Sequence, residues 1–268
     1  MSTKDDILSF INQNWRSLLL VGIIYLCIVA FALINPRGFP VPQLEDTYNQ
    51  FGPSITALIL LLIIGGYLIY RNYLKPLQLK GDVSHQVIWG VSFLIYAITF
   101  LGLCLEALGF PFTDMSDPAI FFAWRTPMII FVCGVWTGTS QLFTDNKKII
   151  YSIALLIILL GESWLFIGLI ILKNIEQTMY GFLYWGFIPM TFILAYLWYR
   201  YGKGSTLSSP NVLALGFFLL GLVYAAWAPW HFEDLKYINY TLFNIYNLAL
   251  TIILVGFYAL PKETLARF

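Results

Sequence analysis

The chain consists largely of long apolar runs separated by short polar connections. A helix that crosses the hydrocarbon core of a bilayer needs about 20 mostly apolar residues. Eight runs meet this requirement, and they cover residues 16–34, 53–71, 86–108, 119–142, 149–172, 179–200, 211–230 and 237–260. Because the backbone must satisfy its own hydrogen bonds in lipid, such runs predict helices, whereas a β-barrel would show alternation in shorter segments. We therefore predict an all-α, polytopic integral membrane bundle of about eight transmembrane helices.

The composition supports this class and excludes others. Of 268 residues, 59% are hydrophobic and 11% are charged, whereas a soluble domain has about 25% charged residues. A soluble enzyme and a disordered chain are therefore excluded. The net charge is +1 without a basic block, so we expect no nucleic-acid partner. Membrane lipids are the expected surroundings.

The distribution of positive charge predicts the orientation in the membrane. Eleven of the fifteen Lys and Arg residues lie at the run ends and connections of one side, which also holds both termini. Three lie on the other side, and Arg125 lies inside a run. Since Lys and Arg accumulate on the cytoplasmic side, both termini are predicted to be cytoplasmic. A plasma membrane is the default location.

The domain organisation is simple. Residues 1–15 are predicted to form a juxtamembrane amphipathic segment, and 16–268 a single transmembrane helical domain. Tyr-Leu-Ile-Tyr-Arg at 67–71 and Tyr-Leu-Trp-Tyr-Arg at 196–200 suggest a weak 4+4 or two-helix duplication. Selection of Tyr and Arg at the inner interface is the alternative explanation. Pro261 is predicted to end the last helix, and the glycines at 202 and 204 to follow the sixth.

Three charged residues inside the runs are the main functional signal. Glu106 and Arg125 lie toward the outer side, and Glu162 lies near the centre of its run. A charge at this depth should face the bundle interior with a partner. Arg125 is one cation that could meet both carboxylates. The group is either an ion pair that holds helices together or the polar floor of an outward-opening pocket.

Aromatic and amide side chains extend this candidate pocket. Trp124, Trp164 and Trp185 lie within runs rather than at the membrane interface, so they either line a cavity or fill the bundle core. The last run carries a polar stripe to which Asn244 and Tyr246 belong. Hydrogen bonding between helices and lining of the same cavity are both open explanations. The predicted ligand-binding residues are Glu106, Arg125, Glu162, Trp124, Trp164, Trp185 and Asn244.

No metal or organic cofactor is predicted. His85 and His231 are expected on opposite membrane faces, which prevents them from jointly binding haem, and no His-Glu-x-x-His motif is present. Cys27, Cys104 and Cys133 lie within runs, and their odd number argues against a disulfide framework. The lysines lie near helix ends, so none could form a retinal Schiff base at mid-membrane.

Three functions follow from these residues. The first is a ligand-binding or sensory module that takes a small or lipophilic ligand from outside and signals to a cytoplasmic or membrane partner protein. The second is an intramembrane enzyme acting on a lipid or isoprenoid, with Glu162 as acid or base. The third is a proton-coupled secondary transporter in which Glu162 binds and releases the proton that is coupled to substrate movement.

Overall fold

The computed structural model describes residues 45–74, 85–108, 118–144, 146–171, 173, 178, 181–205, 207–227 and 236–265. The predicted amphipathic segment 1–15, the first predicted span and His231 lie outside this part of the chain. The described part contains seven α-helices: α1 (Glu45–Leu74), α2 (His85–Ala107), α3 (Pro118–Ser140), α4 (Lys147–Phe166), α5 (Ile188–Ser205), α6 (Ser209–Trp227) and α7 (Lys236–Leu265).

The chain forms a helical membrane bundle. Five of the described helices are long and apolar enough to cross a membrane, namely α1, α2, α4 with the turn that follows it, α6 and α7. Each has a stretch of at least 18 residues with mean hydropathy of 1.7 or more. The other two predicted spans, at 119–142 and 179–200, correspond to α3 and to α5 with the turn before it.

Two single turns of π-helix interrupt the regular winding. Ile167–Ile171 continues α4, and Leu183–Phe187 leads directly into α5. Pro189 follows the second turn and has no N–H to donate to the preceding turn, which favours a locally wider winding there. Such π-turns occur frequently at functional sites.

The predictions of two helix ends were wrong. α7 continues past Pro261 to Leu265, because a proline in the last turn removes only its own backbone hydrogen bond. α5 includes Gly202 and ends at Ser205. Gly202 packs against the side chain of Asn211 at the start of α6, where a larger residue would not fit.

Six helices form a ring, and α4 lies outside it. α1 packs against α2 and α7, and the contacts continue from α2 to α3, from α3 to α5, and from there through α6 to α7. α4 packs mainly against α3. Only 28% of the α4 span is buried, against 50–67% for the other four candidate spans. Most of the α4 surface therefore faces whatever surrounds the ring.

One end of the bundle is basic, and we call it the basic end. There α1, α3, α5 and α7 finish and α2, α4 and α6 begin. It carries Arg71, Lys147, Lys148, Arg200, Lys203 and Lys262. At this end the carboxylate of Glu263 accepts hydrogen bonds from the backbone N–H and hydroxyl groups of Ser208 and Ser209. The end of α7 thus caps the start of α6.

Aromatic side chains fill the ring near the basic end. The rings of Trp89 and Trp198 lie 5.3 Å apart, and Phe257 lies 5.2 Å from Trp89. Phe93 continues the layer from Phe257 towards Phe131, with centroid distances of 5.8 and 5.2 Å. All five side chains are buried, so this layer separates the basic end from the polar groups further along the bundle.

Candidate functional site

Three tyrosines from three helices meet in the centre of the ring, and we call them the tyrosine cluster. They are Tyr96 of α2, Tyr224 of α6 and Tyr246 of α7. The hydroxyls of Tyr96 and Tyr224 are hydrogen-bonded to each other. The rings of Tyr224 and Tyr246 meet edge to face at 5.8 Å. Tyr96 and Tyr246 are fully buried, and Tyr224 is 6% exposed.

The hydroxyl of Tyr246 completes this cluster. It lies within hydrogen-bonding reach of the Tyr96 and Tyr224 hydroxyls, although neither contact meets strict hydrogen-bond geometry. A buried phenol normally finds a partner, and here the partners are the other two phenols. The three hydroxyls therefore form one polar group inside the ring.

Arg125 brings a positive charge to the same place. It lies on α3, and its electrostatic neighbours include Tyr224, Glu106 and Tyr96. Four helices of the ring therefore contribute to one polar centre: α2, α3, α6 and α7. The guanidinium supplies five N–H donors in a fixed planar arrangement. This geometry suits a carboxylate, a phosphate or another planar acceptor.

Phenylalanines surround the polar centre. Phe131 stacks on Tyr96 with ring centroids 4.3 Å apart and an interplanar angle of 16°. Phe187, at the end of the second π-turn, meets Tyr224 edge to face at 4.5 Å. Phe100 stacks on Tyr246 at 5.2 Å. The tyrosine hydroxyls are thus held in place by rings that contribute no polar atoms.

The structure brings two of the three predicted charged residues together and separates the third from them. Arg125 and Glu106 interact electrostatically. Glu162 lies on α4, outside the ring, and accepts a hydrogen bond from the hydroxyl of Thr126 at 3.2 Å. Thr126 is the neighbour of Arg125 in α3, but adjacent positions point to different sides of a helix. Glu162 therefore contacts α3 at the level of Arg125 but on a different side. Whether any of these residues binds a ligand stays a prediction.

The predicted tryptophans have mainly structural contacts. The Trp124 ring packs on Gly102, and its carbonyl accepts a hydrogen bond from Thr99 at 3.0 Å. The Trp164 indole donates to the carbonyl of Thr178 at 2.8 Å, and 37% of the side chain is exposed. The side chain of Trp185 lies outside the described part.

Asn244 lies on α7, two residues before Tyr246, and is partly buried. Positions two apart in a helix point in different directions, so Asn244 does not share the face of Tyr246. Asn247, which also belongs to the polar stripe of the last run, is buried and donates to the carbonyl of Pro53 in α1 at 3.1 Å. That bond joins two helices, as the explanation by interhelical hydrogen bonding requires.

Sequence reasoning did not identify the tyrosine cluster as a site, although Tyr246 belonged to the polar stripe. Tyrosines at the ends of membrane spans need no special explanation. Tyr96 and Tyr224, however, lie inside apolar runs, at a depth where a hydroxyl must find a partner. This depth was the available signal. The bond between them joins residues 128 positions apart, which no local pattern reveals.

The donor set indicates which chemistry fits here. The described residues contain no group of three or more His, Cys, Asp or Glu side chains that could hold a metal ion. Cys104 and Cys133 are buried free thiols. The polar centre instead offers one guanidinium and three phenol hydroxyls beside one carboxylate. Guanidinium and phenol groups are hydrogen-bond donors, so the set is chemically suited to an acceptor-bearing group.

Searches of protein-family models, curated proteins and solved structures find no match to this chain. Its function therefore has to be argued from the residues of the site.

Proposed function

We propose that this membrane protein is a ligand-binding or sensory module whose site is the tyrosine cluster together with Arg125. The observation that carries the proposal is the convergence of three buried tyrosine hydroxyls and the Arg125 guanidinium on one place inside the ring. A bound ligand with a polar atom at this place would accept hydrogen bonds from these donors. Glu106 belongs to the site as an electrostatic neighbour of Arg125.

The ligand has two parts in this proposal. One part carries a carboxylate, phosphate or carbonyl that accepts hydrogen bonds from Arg125 and the tyrosine hydroxyls. The other is apolar or aromatic and packs against rings such as Phe100, Phe131 and Phe187. This combination corresponds to a small amphipathic or lipophilic molecule, which matches the typical lining of a binding pocket.

The proposal includes a topology. The chain has eight spans in one transmembrane domain, and the basic end and both termini face the cytoplasm of a plasma membrane. The ligand enters from the opposite side, because the aromatic layer around Trp89 and Phe93 separates the tyrosine cluster from the basic end. A partner protein at the basic end receives the signal. The positive-inside distribution of Lys and Arg supports this orientation.

Enzymatic and transport functions are placed second. Both hypotheses give Glu162 the central chemical task. In the structure Glu162 lies on the peripheral helix α4 and pairs with Thr126, whereas the buried donors converge inside the ring. Binding is therefore the function that the arrangement of the donors supports best.

Native mass spectrometry of the gently purified protein tests the proposal. We compare the wild type with Tyr246→Phe, which removes only the hydroxyl, and with Arg125→Lys, which keeps the charge but loses the planar donor array. Tyr67→Phe is the matched control, because the Tyr67 hydroxyl contacts the carbonyl of Tyr258 near the basic end at 3.5 Å.

The expected result is one stoichiometric small molecule on the wild type and on Tyr67→Phe. Its affinity falls about 10-fold in Tyr246→Phe, the value of one hydrogen bond, and further in Arg125→Lys. An empty wild-type protein, or equal occupancy in all four proteins, would contradict the proposed site.

A further inference from the structure

Near the basic end, α1 and α7 carry the same pattern, a tyrosine followed four positions later by a cation. The pairs are Tyr67 with Arg71 and Tyr258 with Lys262. Positions four apart are neighbours on the surface of one helix. Arg71 and Lys262 each lie one residue before the end of their candidate membrane span. Both cations therefore stand where an apolar helix leaves the hydrocarbon core.

The structure brings the two pairs together. α1 and α7 are neighbours in the ring, and both run towards the basic end. The rings of Tyr67 and Tyr258 lie 5.4 Å apart, and the Tyr67 hydroxyl donates to the carbonyl oxygen of Tyr258 at 3.5 Å. Because the helices run in the same direction, a step of four residues from each tyrosine leads to the same level. Arg71 and Lys262 thus lie level with each other on two adjoining helices, and we call this place the α1–α7 seam.

Lys262 is held over the tyrosine of its own pair. Its ammonium lies 3.1 Å from the Tyr258 hydroxyl and 4.1 Å from the centre of the ring. The face of an aromatic ring attracts a cation, so this contact restricts where the flexible side chain places its charge. The Lys262 side chain is exposed. Its charge is therefore held at the surface of the seam.

Arg71 brings the second positive charge to the seam. It is partly buried and interacts electrostatically with Tyr67. Its buried Nε donates no hydrogen bond to any residue that the structure describes. The nearest acidic residue of α7 is Glu263, and its carboxylate is turned towards α6, where it accepts hydrogen bonds from Ser208 and Ser209. The seam therefore presents two cations, one of which has a donor suited to a further acceptor.

We propose that the α1–α7 seam binds the phosphate of an anionic membrane lipid, with Arg71 and Lys262 as the two cations that hold it. A guanidinium binds two phosphate oxygens at once, and an ammonium adds a compact point charge. Basic pockets between transmembrane helices are known binding places of anionic lipid head groups. The level of the cations fits as well, because lipid phosphates lie just outside the hydrocarbon core.

The surface of α1 next to the seam suits the acyl chains of such a lipid. Ile59, Leu62 and Ile63 are each 36–47% exposed. They precede Arg71 by about two to three helical turns, on the side of the hydrocarbon core. A soluble phosphate would use the two cations alone, whereas a lipid would also cover this apolar surface. The combination of charge and exposed apolar side chains therefore favours a lipid over a free phosphate.

Native mass spectrometry of the full chain with defined lipids tests this site. The protein is purified in detergent, freed of bound lipid and titrated with dioleoyl phosphatidylglycerol. Dioleoyl phosphatidylcholine, whose head group has no net charge, is the comparison. The wild type is compared with Arg71→Gln, Lys262→Gln and the variant that carries both changes. Lys203→Gln is the matched control, because Lys203 pairs with Tyr199 in the same way on α5, with its ammonium 4.7 Å from the centre of the ring.

The expected result is that the first phosphatidylglycerol binds the wild type and Lys203→Gln about 5-fold or more tightly than phosphatidylcholine does. Each single change in the seam should remove most of this preference, and the double change should remove all of it. An equal loss in Lys203→Gln would show that only the total charge matters and would overturn the site. Displacement of the lipid by inorganic phosphate at millimolar concentration would assign the cations to a soluble phosphate and overturn the lipid.

Thermal unfolding in mixed micelles gives a second readout and controls for folding. A ligand that binds the folded state raises the midpoint of unfolding. Phosphatidylglycerol should therefore raise the midpoint of the wild type and of Lys203→Gln, but not that of the variant with both Arg71→Gln and Lys262→Gln. A cooperative transition without lipid shows that each variant is folded. Equal rises in all variants would overturn the proposal, whereas Tyr246→Phe should respond like the wild type whether or not the tyrosine cluster binds a ligand.

Discussion

Two adjacent glycines of α1 provide a sharp test of how closely α1 and α2 pack. Alanine at Gly65 would place its methyl group 2.8 Å from the carbonyl oxygen of Gly90 and 2.7 Å from the Leu94 side chain. Alanine at Gly66 would meet nothing within 4 Å. The two positions share the same helix and nearly the same depth, so they differ mainly in what lies opposite.

The magnitude follows from this comparison. Replacement of glycine by alanine in a helix interior raises the free energy of unfolding by about 0.5–1 kcal/mol, and this gain applies to both positions. At Gly65 the new methyl group and the atoms of α2 opposite it must move apart by about 0.5 Å or more to reach an ordinary contact distance. Part of the obstacle is the backbone of α2, which cannot rotate away. Overpacking of this kind costs about 1–3 kcal/mol, so Gly65→Ala should be less stable than Gly66→Ala by about that amount.

The assay is reversible unfolding in mixed micelles, in which the free energy of unfolding is compared among the wild type and the two variants. Gly66→Ala should equal or exceed the wild type in stability, and Gly65→Ala should fall below it. Because the helix-propensity gain cancels between the variants, their difference reports the contact alone. Equal stability of the two variants would refute the close approach of α1 and α2 at Gly65.

Three further predictions concern individual hydrogen bonds. Glu263→Ala should lower the free energy of unfolding by about 2 kcal/mol, since it removes a charged cap from α6. Glu263→Gln should lower it by less, and thermal unfolding of both variants measures the difference. Tyr96→Phe and Tyr224→Phe should each cost about 1 kcal/mol but be clearly non-additive when combined, because they share one bond; additive losses would contradict that bond. Trp164→Phe should cost about 1 kcal/mol through loss of the indole bond to Thr178, with the same unfolding assay as the check.

The helical character of the fold was predictable because lipid allows few alternatives. Runs of about 20 apolar residues mark helices whatever their tertiary contacts are. Their ends were less predictable, since they depend on tertiary contacts. α7 passes Pro261 and carries Glu263 to the start of α6, and α5 retains Gly202 because Asn211 packs against it.

The arrangement of the helices was not predictable from the runs. α4 is apolar around most of its circumference apart from a few polar residues such as Glu162, so its sequence does not indicate that it lies outside the ring. Glu162 was recognised as a charge that needs a partner, but nothing local indicated that Thr126 would provide the hydrogen bond. The sequence singled out charged residues and tryptophans, whereas the buried centre also contains tyrosines brought together from α2, α6 and α7.

The most direct test of the proposed binding site is an experimental map of the purified protein, obtained by cryo-electron microscopy with a rigid antibody fragment bound outside the membrane. The proposal predicts non-protein density in contact with the Tyr246 hydroxyl and the guanidinium of Arg125, enclosed by Phe100, Phe131 and Phe187. A well-resolved map without such density, in which the three tyrosine hydroxyls and Arg125 bond only to one another and to other protein groups, would contradict it.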